Sequence, residues 1–222
     1  MTASTETAAR PITDVLREVP RPRPILEHAR ELALTERQRE VLDELGAMFE
    51  AGFADLTMAT LAKRLNCSLR TLYVLAPSRD ELVLMVVDRR LRRIGRAARA
   101  AVHPDMSPLE TLRAYLHAVT VSLMGTSDEF ARDLAAVPAV NRLIVDHNEY
   151  VFAITRRLLE LAVEQGEIPP IDIPAFARVM AGLGWGLTRP EAKSLLASSP
   201  KAAADSLVDV IIRGLRSSPA PS

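Results

Sequence analysis

Residues 61–82 read LAKRLNCSLRTLYVLAPSRDEL, and this stretch decides the fold. Two short apolar-periodic runs flank a polar break, Asn66-Cys67-Ser68. Neither run is long enough to be a stable helix alone, so each must be held by neighbours. In the first run, Met58 to Leu65, Leu61, Ala62 and Leu65 share one face, and Thr57 is a good N-cap. Asn66 can take the left-handed conformation that closes such a helix, where glycine is commoner. Ser68 caps the second run, Leu69 to about Leu75, and Pro77-Ser78 breaks it. Two short helices around one polar turn form a helix-turn-helix candidate, with the second helix there to be inserted into something.

The flanking sequence supplies what would prop that pair. Thr35 with Gln38 three residues on is a capping box. Val41, Leu42, Leu45, Met48 and Phe49 follow at helical spacing up to Glu50, and Gly52 ends the helix. The inner faces of the three helices then bury Leu61, Ala62, Leu65, Cys67 and Leu72 together. The outer face of the last projects Ser68, Leu69, Arg70, Thr71 and Tyr73. A major groove about 12 Å wide admits one such helix. Arg70 suits a guanine edge, and Thr71 or Leu69 a thymine methyl. Thr57, Lys63, Arg64, Tyr73 and Arg79 suit phosphates that set register.

The formal net charge of the whole chain is zero, but the charge is unevenly placed. Between Met58 and His103 ten basic residues stand against three acidic ones. An anionic partner would be drawn there; a solvated arginine-rich helix face is the bland alternative. Hydrophobic residues make up 48%, charged residues 25% and aromatics only 4% of the 222 residues, which favours a helical globular protein. No apolar run approaches the roughly 18 residues of a membrane span, and the N-terminus lacks a secretory h-region. A lone cysteine, Cys67, cannot form an internal disulfide. The expectation is a cytoplasmic protein with no membrane contact.

The remaining segments also read as helices, with no convincing strand, so the fold class is all-α with nine or so helices. Ser78 caps a long helix from Arg79 to about Val102. Further helices are expected over 108–124, 128–137, 138–165, 175–187 and 202–215, separated by turns at 125–127, the Pro-rich GEIPPIDIP and the loop at Arg189-Pro190. The domains are then a flexible or partly helical arm (1–34, with a short helix over 25–34), a helix-turn-helix domain (35–82), a second helical domain (83–217) and a tail (218–222).

Residues 36–82 resemble the DNA-binding domain of the TetR family of transcriptional regulators. The resemblance rests on Phe49-Glu50-Ala51-Gly52-Phe53, Leu56-Thr57-Met58, Leu61-Ala62, Cys67-Ser68, Thr71-Leu72-Tyr73 and Ser78-Arg79-Asp80-Glu81-Leu82. Three positions depart from the family pattern: Asn66 for glycine, Arg79 for lysine, and Ala76 for the phenylalanine that plugs the small core. Leu75 or Met85 would have to fill that gap. The resemblance implies a dimeric, ligand-responsive regulator, most readily a repressor, that binds double-stranded palindromic operator DNA and is released by an effector.

It also implies that the rest of the chain binds ligand and pairs two subunits through its last two helices. The sequence is compatible with that. Phe176, Val179, Met180, Leu183 and Leu187 form one stripe, with Leu207, Ile211 and Leu215 on the other helix. Closing the monomer core would use the same stripes. A pocket among 108–165 would be lined by Tyr115, Leu116, Val119 and Leu123 from one side. Phe130, Ile144, Asn148 and Phe152 would form the other side, with Trp185 contributed from 175–187. Met124 is a further candidate, and Tyr115, His117, His147 and Asn148 are the polar anchors. The effector would be small and largely apolar.

Nothing in the sequence points to an enzyme, a cofactor or a metal site. The histidines have no H-x-x-x-H spacing, and there is no G-x-S-x-G or phosphate-binding glycine loop. Asp146 and Glu149, flanking His147, read as a solvated helix face. The alternative reading is an all-helical ligand-binding or protein-interaction protein without operator binding. The arginines of the arm, Arg10, Arg17, Arg21 and Arg23, offer a minor-groove contact, against a plain disordered leader.

Overall fold

The computed structural model describes residues 11–26, 31–123, 127–187 and 189–217. Arg10, Met124, most of the turn at 125–127, the tail and the centre of the short helix expected over 25–34 lie outside them. All regular elements among the described residues are helical, in eleven helices. These are α1 (Ile12–Glu18), α2 (Glu36–Phe49), α3 (Met58–Arg64), α4 (Leu69–Leu75), α5 (Arg79–Ala100) and α6 (Pro108–Leu123). They continue as α7 (Asp128–Ala135), α8 (Pro138–Glu164), α9 (Ile173–Leu187), α10 (Pro190–Lys193) and α11 (Pro200–Ser217). None of the described helices is long and apolar enough to cross a membrane.

The termini of the elements follow from local chemistry. Both halves of the capping box at α2 form: the Thr35 hydroxyl accepts from the Gln38 amide, and the Gln38 side chain accepts from the Thr35 amide. Ser127 caps α7 through the Phe130 amide. Gly166, at φ +73°, ends α8, and the Glu167 amide donates back to the Ala162 carbonyl at 2.8 Å.

The buried side chains fall into two clusters. The first joins α2, α3, α4 and the N-terminal half of α5 to α7 and the start of α8, through residues such as Leu45, Phe49, Leu72, Val83, Phe130 and Val140. The second joins the far end of α5 to α6, α8, α9 and α11, through Ala98, Leu112, Tyr115, Ile154, Met180 and Ile212. Helix α5 therefore contributes to both, with Leu82 to Val87 in the first and Ala98 in the second.

Two expectations need correction. The arm is not flexible throughout: α1 lays Ile12, Val15, Leu16 and Val19 into the second cluster, at 3–9% exposure. Its apolar spacing, at positions i, i+3, i+4 and i+7, is helical, and the Pro-rich run after it starts only at Pro20. The loop at Arg189-Pro190 also holds a turn of helix, α10, with Pro190 at its first position.

Candidate nucleic-acid interface

The turn between α3 and α4 is closed by two backbone bonds. Asn66 sits at φ +47°, its amide donates to the Lys63 carbonyl at 3.3 Å, and the Cys67 amide donates to the Ala62 carbonyl at 3.0 Å. That pair of bonds is a Schellman closure with asparagine in the position glycine usually fills. The Ser68 hydroxyl then caps α4 by accepting from the Thr71 amide at 3.1 Å. Arg37 reaches across from α2 and donates to the Leu65 carbonyl at 2.7 Å. Hydrogen bonds to Glu40 and Glu44 raise the Arg37 guanidinium above its ordinary value. No helical pattern in the sequence marks Arg37 as a strut for the turn; its carboxylate partners are neighbours on its own helix.

Helix α4 has one face in and one face out. Leu72 and Leu75 are fully buried in the first cluster, while Leu69 is 43% and Tyr73 53% exposed. Arg70 and Ser68 are exposed beside them. Val74, 53% exposed, belongs to the same outer surface and was not expected there. Thr71 is half-buried, and its hydroxyl lies 2.9 Å from that of Ser68, so it is partly engaged. Thr57, Lys63 and Arg64 are exposed on α3 and its cap. Arg79 is more constrained: it donates to the Ala54 carbonyl at 2.7 Å and pairs with Asp80 at 2.8 Å.

Ala76, where the resemblance expected a phenylalanine, is itself buried. Ala76 is 2% exposed, and Leu75 and Met85, 2% and 5% exposed, pack in the same cluster. Phe49 and Phe53 pack with tilted rings, their centroids 5.2 Å apart, and Phe53 meets Phe130 of α7 edge-on at 5.9 Å. Cys67 is half-buried, and that burial pushes its thiol up, away from the reactive thiolate.

The nine residues expected to line one pocket do not share one core. Phe130 and Ile144 lie in the first cluster, with Trp185 packed against it. Tyr115 and Leu116 lie in the second, with Val119 and Phe152 against it. Leu123 is buried beside Gly184, and Asn148 is half-buried. His117 turns outward to Asp205 of α11, at 3.0 Å, and His147 donates to the Leu143 carbonyl at 2.9 Å. Glu149 pairs with Arg178 on the surface. The reason is packing: α7 and the start of α8 close over the first cluster, which periodicity along a helix cannot reveal. A cleft of about 840 Å³ opens between α2 and α5, and Phe130 is the one expected pocket residue on its wall.

On the expected pairing helices, Met180 and Leu215 face the monomer core, at 1% and 3% exposure. Phe176, Leu183, Leu187 and Ile211 are half-buried. Val179 and Leu207 are outward, at 58% and 41%, with Val210 at 54%.

No family model matches the chain, and no curated protein does. Solved structures do. A TetR-like transcriptional regulator from Rhodococcus sp. RHA1 is 25% identical, with a TM-score of 0.60 over 82% of this chain and 97% of that one. A TetR transcription regulator from Haloarcula marismortui superposes at a TM-score of 0.65 with 16% identity, covering 82% and 99%. A bacterial regulatory protein in the tetR family from Rhodococcus RHA1 gives 0.63 with 21% identity, covering 82% and 98%. These likenesses extend well beyond the helix-turn-helix into the C-terminal helices, and the chain has the fold of the TetR-family transcriptional regulators.

Proposed function

We propose that the chain is a transcriptional regulator, a repressor, that binds a palindromic operator as a homodimer and is released by a small, largely apolar effector. The observation that carries this is the outer face of α4, where Leu69, Arg70 and Tyr73 stand free on a helix whose opposite face is fully buried. A face so presented is shaped for a groove, and Lys63 and Arg64 beside it have no carboxylate partner among the described residues.

A dimer supplies the second half-site. Helices α9 and α11 lie side by side and present Val179, Leu207 and Val210 outward. A side chain added at Gly182 or Gly186 of α9 would meet nothing within 4 Å, so a second copy can approach closely there. The two probe helices would then sit about one DNA turn apart, roughly 34–36 Å. Helix α5 spans both clusters, so a ligand that prefers a different packing of the C-terminal helices shifts that spacing and lowers DNA affinity by the same coupling factor.

The test is a gel shift against the promoter region of the chain's own gene, with salt titration. The expected result is retardation by a preferred palindrome and a steep loss of affinity with salt. Retardation of no fragment, with the protein folded, would leave a ligand-binding or protein-interaction role.

A further inference from the structure

The cleft between α2 and α5 has a chemistry that an apolar effector does not use. Its walls carry Arg89, Arg90, Arg92, Arg93 and Arg96 against Glu31, Asp43 and Glu50. Each of these carboxylates has an arginine partner, although Glu50 Oε2 is buried with no hydrogen-bond partner among the described residues. Glu31 pairs with Arg89 at 2.8 Å and Arg92 at 3.1 Å, Asp43 with Arg89 at 3.4 Å, and Glu50 with Arg90. Arg93 and Arg96 are exposed on the same wall with no carboxylate partner among the described residues. The Nε of Arg92 is buried with no hydrogen-bond partner among them either. Burial lowers the Arg90 guanidinium, and the neighbouring Arg93 charge adds to that.

The cleft also has an apolar side. Leu42, Val86, Ile94 and Phe130 line it. Gly46 and Ala47 of α2 lie on its wall, and a Cβ at Gly46 would come within 3.8 Å of Val86 Cγ1. Arg93 lies fourteen residues beyond Arg79 on α5, roughly 21 Å along the helix axis, so this patch does not continue the surface around α4. A volume of about 840 Å³ is that of a small-molecule site.

We propose that this cleft binds an amphipathic anion: a small molecule with an oxyanion head, carboxylate or phosphate, held by Arg93 and Arg96, and an apolar body laid against Ile94 and Phe130. Because α2 and α5 both line the cleft, its occupant bears on the angle between them. That consequence for DNA rests on the operator-binding reading above; the binding itself does not.

The test is isothermal titration of the full chain with octanoate and with octyl phosphate, using octanol as the uncharged control. At least one anion is expected to bind at one per chain, with octanol about tenfold weaker or worse, since a charge-assisted bond to arginine is at stake. The two anions distinguish a carboxylate from a phosphate head. The R93Q/R96Q variant should lose about tenfold in affinity. The A47W variant, which fills the cleft without changing its charge, should lose binding as well, and circular dichroism checks that each variant is folded. Octanol binding as tightly as the anions, neither anion binding, or R93Q/R96Q staying within about twofold of the parent would overturn the site. A parent chain that takes up the anion but retards no DNA would count against the regulator reading and leave the cleft standing.

Discussion

Asn66 carries the tightest backbone constraint in the probe. At φ +47° a β-branched side chain meets the neighbouring carbonyl, whereas asparagine tolerates the conformation. Asn66→Gly should leave the urea midpoint unchanged or raise it, and Asn66→Val should cost about 1–2 kcal/mol of unfolding free energy. Exposure separates the roles of the outward side chains. Arg70 is free to meet a base edge, so Arg70→Ala should relax the sequence preference in a binding-site selection. On the proposed reading the exposed Lys63 meets phosphate, so Lys63→Ala should weaken all sites alike and reduce the salt slope by about one. An unchanged selection profile for Arg70→Ala would mean that α4 does not read bases.

At the same scale, Asp88 is a carboxylate held at 1% exposure between α5 and the N-terminal segment. Desolvation raises its pKa, and Arg92, the Ile25 amide and His147 only partly offset that. The folded state then holds the proton more tightly than the unfolded chain. Its contribution to stability falls as pH rises from the ordinary aspartate value through the raised one. Compared with Asp88→Asn, the parent should therefore lose ground over that acidic window in pH-dependent denaturation, and a pH-independent difference would contradict the shift.

Among elements, α7 acts as a clamp on the probe-bearing unit. Asp133 accepts from the Phe53 amide and, at 2.8 Å, from the Ala54 amide, while the Ser127 hydroxyl donates to the Glu50 carbonyl. Gly52, at φ +95°, lets this happen: a Cβ there would lie 3.3 Å from Asp133 Oδ2 and from Glu129 Cβ. Asp133→Ala should cost about 1.5–3 kcal/mol, because two amides lose a charged acceptor. The loop between α2 and α3 should then exchange its amide hydrogens faster. If it does not, the clamp is not what orders that loop.

For the whole molecule, the proposed dimer would pair through the outward apolar residues of α9 and α11. Val179→Arg with Leu207→Arg places two charges where a second copy would pack, and leaves the core-facing Met180 and Leu215 untouched. Sedimentation should show a dimer for the parent and a folded monomer for the variant, with operator affinity falling in step because one half-site is lost. A variant that stays dimeric would place the pairing surface elsewhere.

Local chemistry determined where the helices of the helix-turn-helix begin and end and which of their faces turn inward. Thr35, Thr57, Ser68 and Ser78 all cap helices as their side chains require, and the Leu61–Leu72 pattern points inward as helical spacing demands. These are interactions over three or four residues, so the order of residues contains them in full. Tertiary structure decided what depends on which faces meet. It placed α1 in the core, assigned α7 to the probe-bearing unit, divided the expected pocket residues between two clusters, and opened an arginine-lined cleft between α2 and α5. An apolar stripe records that a face is to be buried, but its partner is chosen by the packing of elements eighty or more residues apart, as Phe53 and Asp133 are.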